Sequence, residues 1–323
     1  MLSVLAVTVP FFALVLIGFL AARTRVLPLE AVPGMNGFVL YFALTALLFQ
    51  LGARTPVAEL LDPAVLGVWL LAGVAVMVLA AATARRRGVG WLDSSFGALI
   101  AALPNSGFMG VPLLTALLGA AANGPIIASL LVDIVVIQSL AVAFSHRGHG
   151  EPQGALRELR NAVKRMAKNP LPWAIVLGAL WGGLGWSLPG PVDTTVTMLA
   201  DAASPVALFT IGAVLAREQM VPSSDVPRGG LRGLRDVPWL AALKLLAHPL
   251  LVWGIGLGAI AVGMPLTSTA LVVLVLTAAL PSAANAAVLA ERYGADTGRI
   301  TRVILLSTVV SFVTFTAAVA LLR

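Results

Sequence analysis

Between Val65 and Ala82 no side chain is polar, and the apolar residues follow no period that would leave one helix face wet. A helix hydrophobic on every side belongs in a large core or in a bilayer, and about 20 such residues cross the hydrocarbon. Comparable windows recur along all 323 residues, and only 11% of residues are charged, against roughly 25% in an average soluble domain. A water-soluble chain is excluded. Outer-membrane barrel strands alternate apolar and polar residues, so that class is excluded too. The expected class is an all-α membrane protein.

Gly, Pro and charge clusters divide the chain into ten apolar windows, spans 1 to 10, near 3–22, 32–51, 64–84, 94–118, 124–145, 170–188, 194–215, 237–262, 267–290 and 299–322. Threading them alternately through a membrane places 18 of the 21 Lys and Arg on one side, Arg54 and Arg323 on the other, and Lys244 within span 8. Cytoplasmic loops carry such an excess. The count of ten follows, with an inner-membrane location and both termini outside. The net charge of +7 is thereby explained without nucleic acid as a partner. The apolar N-terminus, with Arg23 and Arg25 after it and no basic residue before it, reads as a retained first span. With no Cys, thiolate metal sites and thiol nucleophiles are excluded.

The basic stretch 146–169 separates five spans from five, giving a first repeat over 1–145, a cytoplasmic loop over 146–169 and a second repeat over 170–323. An odd number of helices per half inverts the second half, as in many secondary transporters. Traces of the repeat are visible. Thr45-Ala-Leu-Leu-Phe-Gln-Leu-Gly52 matches Pro205-Val-Ala-Leu-Phe-Thr-Ile-Gly212 at Leu, Phe and Gly, and Ala101-Ala-Leu-Pro104 matches Ala278-Ala-Leu-Pro281.

Span 4 carries Pro104, Gly107, Gly110 and Pro112, and span 9 carries Pro281. Proline removes a helix N–H and clashes with the carbonyl four residues back. Both spans are expected to break, span 9 more mildly because it lacks glycine. Broken backbone at membrane depth is tolerated only against protein or a water-filled cavity, and paired interruptions point to a transporter's substrate site. Asn105, Ser106, Ser282 and Asn285 flank the breaks, with Thr45 a further candidate in span 2. Half-helix N-termini present free N–H groups and partial positive charge, and neutral donors beside them suit an anion.

The run from Pro104 to Leu114 resembles the fourth-helix signature of the auxin efflux carrier family, Leu280 to Gly294 is similar to the ninth-helix segment of its bacterial members, and Leu243 to Leu251 resembles its eighth helix. The resemblance implies two inverted five-helix repeats whose fourth and ninth helices cross at prolines beside an organic-anion site. It also implies a scaffold of helices 1, 2, 6 and 7, a moving domain of helices 3–5 and 8–10, elevator-like alternating access, and a homodimer. Two departures stand out: Thr45 occupies a place where the family often has proline, and Ala283, Ala284 and Asn285 offer no acidic residue like that of the related bile acid sodium symporters. The second departure argues against sodium coupling.

Ionisable residues inside the bilayer are functional candidates by default. Asp133 lies near the middle of span 5 and is expected to be protonated, paired or cavity-facing, which makes it a candidate coupling residue. Lys244 either snorkels to the cytoplasmic surface or takes part in coupling. Asp201 is a weaker candidate, Arg302 reads as an interfacial anchor, and His248 beside Pro249 reads as a packed kink partner. Gln50 and Gln138 are expected to hydrogen-bond between helices. His146 and His149 lack a third ligand, so no metal is expected; no P-loop provides for ATP, and no cofactor is implied. No nucleophile and base pair marks an enzyme. The leading reading is a secondary carrier of a small organic anion such as a mono- or dicarboxylate, proton-coupled or uniport; a channel or sensor on the same fold is the alternative.

Overall fold

The computed structural model describes residues 2–145, 167, 169–220 and 236–322. His146, His149 and most of the basic loop 146–169 lie outside the described residues, as do Arg228, Arg232, Arg235 and Arg323. Among the described residues there is no strand. The helices are α1 (Leu2–Arg23), α2 (Ala31–Arg54), α3 (Val57–Arg86), α4 (Trp91–Ala102), α5 (Ser106–Leu118), α6 (Ala120–Ser145), α7 (Pro170–Gly183), α8 (Gly190–Met220), α9 (Val237–Ala261), α10 (Ser268–Ala278), α11 (Asn285–Tyr293) and α12 (Thr297–Leu322). Six of them, α2, α3, α6, α8, α9 and α12, are long and apolar enough to cross a membrane, and shorter apolar helices lie in α1, α5, α7 and α10. The windows at 94–118 and 267–290 are each helical in two pieces.

The chain divides into two compact units. Unit 1 comprises Met1–Asp62, Gly107–Ala128 and Arg165–Pro222; unit 2 comprises Pro63–Ser106, Ser129–Lys164 and Ser223–Arg323. Unit 1 thus holds α1, α2, α7 and α8, with most of α5 and the start of α6.

Within unit 1, α1 packs along α8 and α2 along α7, with glycine at the closest points. A Cβ on Gly18 would run into the Phe209 carbonyl oxygen, and one on Gly212 into that of Val15. The same arrangement recurs between α2 and α7: Gly178 meets the Phe49 carbonyl, and Gly52 the Ile175 carbonyl at 2.7 Å. Small residues let membrane helices approach this closely, and van der Waals packing then holds them, since lipid provides no hydrophobic drive between helices. Gln50 Nε2 donates to Thr197 Oγ1 at 2.8 Å, the interhelical bond expected of it. At one end Ala22, Leu29, Val32, Ala213 and Ala216 close a small apolar cluster.

Unit 2 has a polar interior. Arg299 at the start of α12 is 3% exposed. Its Nε donates to Asp236 Oδ1 at 3.1 Å, its Nη2 pairs with Asp236 Oδ2, and its Nη1 donates to the Asp93 carbonyl at 2.7 Å. Asp93 Oδ1 also accepts the Asp296 N–H at 2.9 Å. The guanidinium leaves no room for a side chain at position 97, where a Cβ would lie 2.8 Å from Nη2. Arg299 is therefore not the loop charge that the partition of basic residues took it for: a carboxylate within bidentate reach draws it inside.

Candidate functional site

α4 ends at Ala102 and α10 at Ala278, and the two chains meet just beyond. Pro104 and Ser282 form an isolated antiparallel bridge: the Asn105 N–H donates to the Pro281 carbonyl at 2.9 Å and the Ala283 N–H to the Leu103 carbonyl at 3.0 Å. Each break thus satisfies backbone groups that the other's proline set free, which is the condition for irregular backbone in a bilayer.

The relative severity of the breaks is opposite to expectation. In span 4 only Leu103–Asn105 is non-helical; Ser106–Gly110 resumes at once as a wide π turn, and Pro112 sits harmlessly in the first turn of the α-helix that follows. In span 9 the helix is lost from Ala279 to Ala284. The cause lies in competing partners: the Ser282 N–H donates to Ser307 Oγ at 3.2 Å, Ser282 Oγ donates to the Ile100 carbonyl at 2.9 Å, and the Ala283 N–H is taken by Leu103. Gly107 and Gly110 make re-entry easy in span 4 and do not lengthen its break.

The electrostatics of the crossing are lopsided. Carbonyls at the ends of α4 and α10 are already occupied: Ile100 by Ser282 Oγ, Leu103 by Ala283, Pro281 by Asn105 and Ala278 by the Lys244 ammonium at 2.5 Å. The half-helix α11 begins at Asn285 and presents the positive end of its dipole just beyond the bridge. Ser106 Oγ is buried without a hydrogen-bond partner, Asn105 is 4% exposed, and Asn285 is exposed at the start of α11. An arrangement with quenched carbonyls, free donors and no acidic side chain suits an anion.

Four of the expected site residues, Asn105, Ser106, Ser282 and Asn285, therefore gather at the crossing, within unit 2. Ser282 spends its hydroxyl hydrogen on Ile100 and has none left for a ligand. Thr45 belongs to unit 1, where its Oγ1 donates back to the Leu40 carbonyl at 2.9 Å.

Asp133 and Lys244 are both buried in unit 2, and each lies in a π turn, Asp133–Ile137 and Leu243–Ala247. Such turns are frequent at functional sites. Asp133 Oδ1 accepts the Trp69 indole N–H at 2.9 Å. Lys244 is 0% exposed and does not snorkel: besides the Ala278 carbonyl, its Nζ faces His248 Nδ1 at 3.3 Å. A backbone carbonyl with no helical donor is the stronger attraction for an ammonium. His248 packs against Trp69 with ring centroids 5.2 Å apart. Asp201 is exposed and Arg302 half-buried. Sequence reasoning missed Trp69 and the Arg299–Asp236 pair. The former is one of seven Trp with nothing to single it out, and the latter joins residues 63 positions apart.

Comparison with known proteins agrees with this architecture. A family model described as "Membrane transport protein" matches residues 3–319. The "Putative malonate transporter" of Rhizobium meliloti is 29% identical over 325 residues, covering 100% of this chain and 97% of the relative. "Auxin efflux carrier component 8" of Arabidopsis thaliana is 26% identical, covering 90% and 89%. An "Uncharacterized transporter" of Methanothermobacter thermautotrophicus is 29% identical, covering 93% and 92%. Apolar helices, paired proline breaks and a family match over nearly the whole length lead to one conclusion: the chain belongs to the membrane transport protein family that includes the auxin efflux carriers, and it is a transporter, not an enzyme.

Proposed function

We propose that the protein is a secondary carrier of a small organic anion, a carboxylate, held at the crossing of spans 4 and 9 by Asn105, Ser106, Asn285 and the N-terminal turn of α11. The observation that carries this reading is a buried, unpartnered Ser106 hydroxyl beside a buried carboxamide, at a point where the neighbouring carbonyls are occupied. The name of the Rhizobium relative makes malonate the first probe. Asp133 with Lys244 is the coupling group.

In this reading ten spans form two inverted five-helix repeats. The glycine contacts support it: Gly18 on Phe209 with Gly212 on Val15, and Gly178 on Phe49 with Gly52 on Ile175, are one set of contacts under exchange of spans 1 with 6 and 2 with 7. Spans 1, 2, 6 and 7 act as the scaffold of a homodimer, and spans 3–5 and 8–10 move the site by an elevator-like path; the gathering of α3, α4 and α9–α12 into one unit supports this division, and most of α5 and the start of α6, which belong to unit 1, do not follow it. The cell membrane holds the protein with both termini outside, an orientation that the basic-residue partition supports.

Counterflow of radiolabelled malonate and other carboxylates in proteoliposomes tests the proposal. Saturable exchange is expected, and Asn105→Ala should weaken apparent affinity about tenfold or more, since truncating a hydrogen-bonding group in a buried site costs about 1–3 kcal/mol. Flux that never saturates would make the protein a channel instead.

A further inference from the structure

The polar side chains inside unit 2 include two buried atoms with nothing to bond to, and both belong to residues that contact one indole ring. Asp133 Oδ1 is occupied by Trp69, but Oδ2 is buried without a partner. His248, stacked at a tilt against the same Trp69, presents Nδ1 to Lys244 and leaves Nε2 buried without a partner. When the Lys244 ammonium donates to Nδ1, the ring hydrogen sits on Nε2. The cluster thus holds one orphan acceptor and one orphan donor, and each buried unsatisfied group costs about 1–3 kcal/mol.

Other charges stand apart from the cluster. Of the elements packed against it, α3 carries Arg85 and Arg86 in its last turn, α4 carries Asp93 in its first turn, and α12 carries Arg299 and Arg302 near its start. Arg299 is held by Asp236, Asp93 accepts from Asp296, and none of these residues bonds to Asp133, Trp69, Lys244 or His248. α10 contributes only the carbonyl of Ala278. That carbonyl ends the first half of span 9, three residues before Pro281.

We infer that Asp133, held against the Trp69 indole with His248 packed on the same ring, is a proton-binding site and that Lys244 links its occupancy to the crossing, so that one proton is taken up with each anion. The coupling half of this inference rests on the proposed anion site. The step is a simple protonation: a proton passes from hydronium to a lone pair of Asp133 Oδ2, so that one O–H bond forms there while an O–H bond of hydronium breaks and water leaves. With Lys244 an ammonium and Asp133 a carboxylate, the interior is neutral. Protonation leaves the ammonium uncompensated in a medium of low dielectric, where an unpaired charge is costly. An anion at the crossing, beside the helix end that Lys244 touches, restores the balance. Each ligand therefore favours the other by the same factor, as linkage requires.

Infrared difference spectroscopy of the purified protein, labelled with carbon-13 at aspartate carboxyls, tests this. The expected result is an aspartic acid C=O band that grows as pH falls, vanishes in Asp133→Asn and shifts in frequency in His248→Gln. Malonate added at fixed pH should strengthen the band in the wild type but not in Lys244→Met. A spectrum identical in wild type and Asp133→Asn at every pH overturns the site, and that comparison needs no other variant to fold. A titrating band indifferent to malonate, in protein that performs malonate counterflow, overturns the coupling and leaves the carrier reading intact. A titrating Asp133 band in protein that exchanges no carboxylate supports the proton site while the carrier reading falls.

Discussion

Unit 1 and unit 2 solve the same problem, holding helices together without help from water, by opposite means. Unit 1 relies on absence: glycines at 18, 52, 178 and 212 bring backbones into contact with little polar side-chain chemistry between them. Unit 2 relies on buried functional groups, with Arg299, Asp236, Lys244, His248, Asp133 and Ser282 all inside it. Close-packed backbone has one good arrangement. A network of hydrogen bonds can be loaded, emptied and rearranged, so the unit that contains the crossing is also the one equipped to respond to a ligand.

Three sets of substitutions test this contrast, from the largest effect to the smallest. Removing one partner of a buried ion pair costs about 3–5 kcal/mol, whereas replacing both with apolar residues is often neutral. Arg299→Met should therefore lower the thermal unfolding temperature in detergent sharply, and Arg299→Met with Asp236→Leu should recover most of the loss. Equal loss in both would mean that Arg299 matters through its packing and its bond to Asp93. In unit 1, Gly18→Ala and Gly178→Ala each force a methyl group onto a carbonyl, with an overpacking cost of about 1–3 kcal/mol. Because the two contacts are equivalent under the repeat, their costs should agree closely in thermal unfolding; a large disparity would break the proposed symmetry. The smallest effect belongs to the polar bond in unit 1. Gln50→Leu should cost only about 0.6 kcal/mol, the average for interhelical hydrogen bonds in a membrane. A loss as large as that of Arg299→Met would show that unit 1 also depends on polar contacts.

The breaks were legible because proline acts locally: Pro104 and Pro281 each remove a backbone N–H at a fixed point, whereas Pro10 and Pro205 do the same inside helices that continue. The relative depth of the breaks was not legible, because Ser307 and Ile100, far along the chain, decide where the span 9 backbone bonds. Lys244 was singled out by its charge, but its partner is a backbone carbonyl, which carries no side-chain signature. Arg299 looked like a loop charge for the same kind of reason: the carboxylate that pulls it inside sits on another helix. The Leu-Phe-Gly repeat was visible as identity, and its meaning emerges only when Gly52 and Gly212 are both found against a carbonyl.

Those glycine contacts consist of a Cα facing an oxygen, and nothing in them takes up a proton or feels an ionic atmosphere. A carbonyl against a Cα–H is at most a weak hydrogen bond, the same in acid and in alkali, in dilute buffer and in brine. Whatever sensitivity the transporter shows to pH or salt has therefore to originate in groups outside these contacts, while the glycine seam itself holds constant.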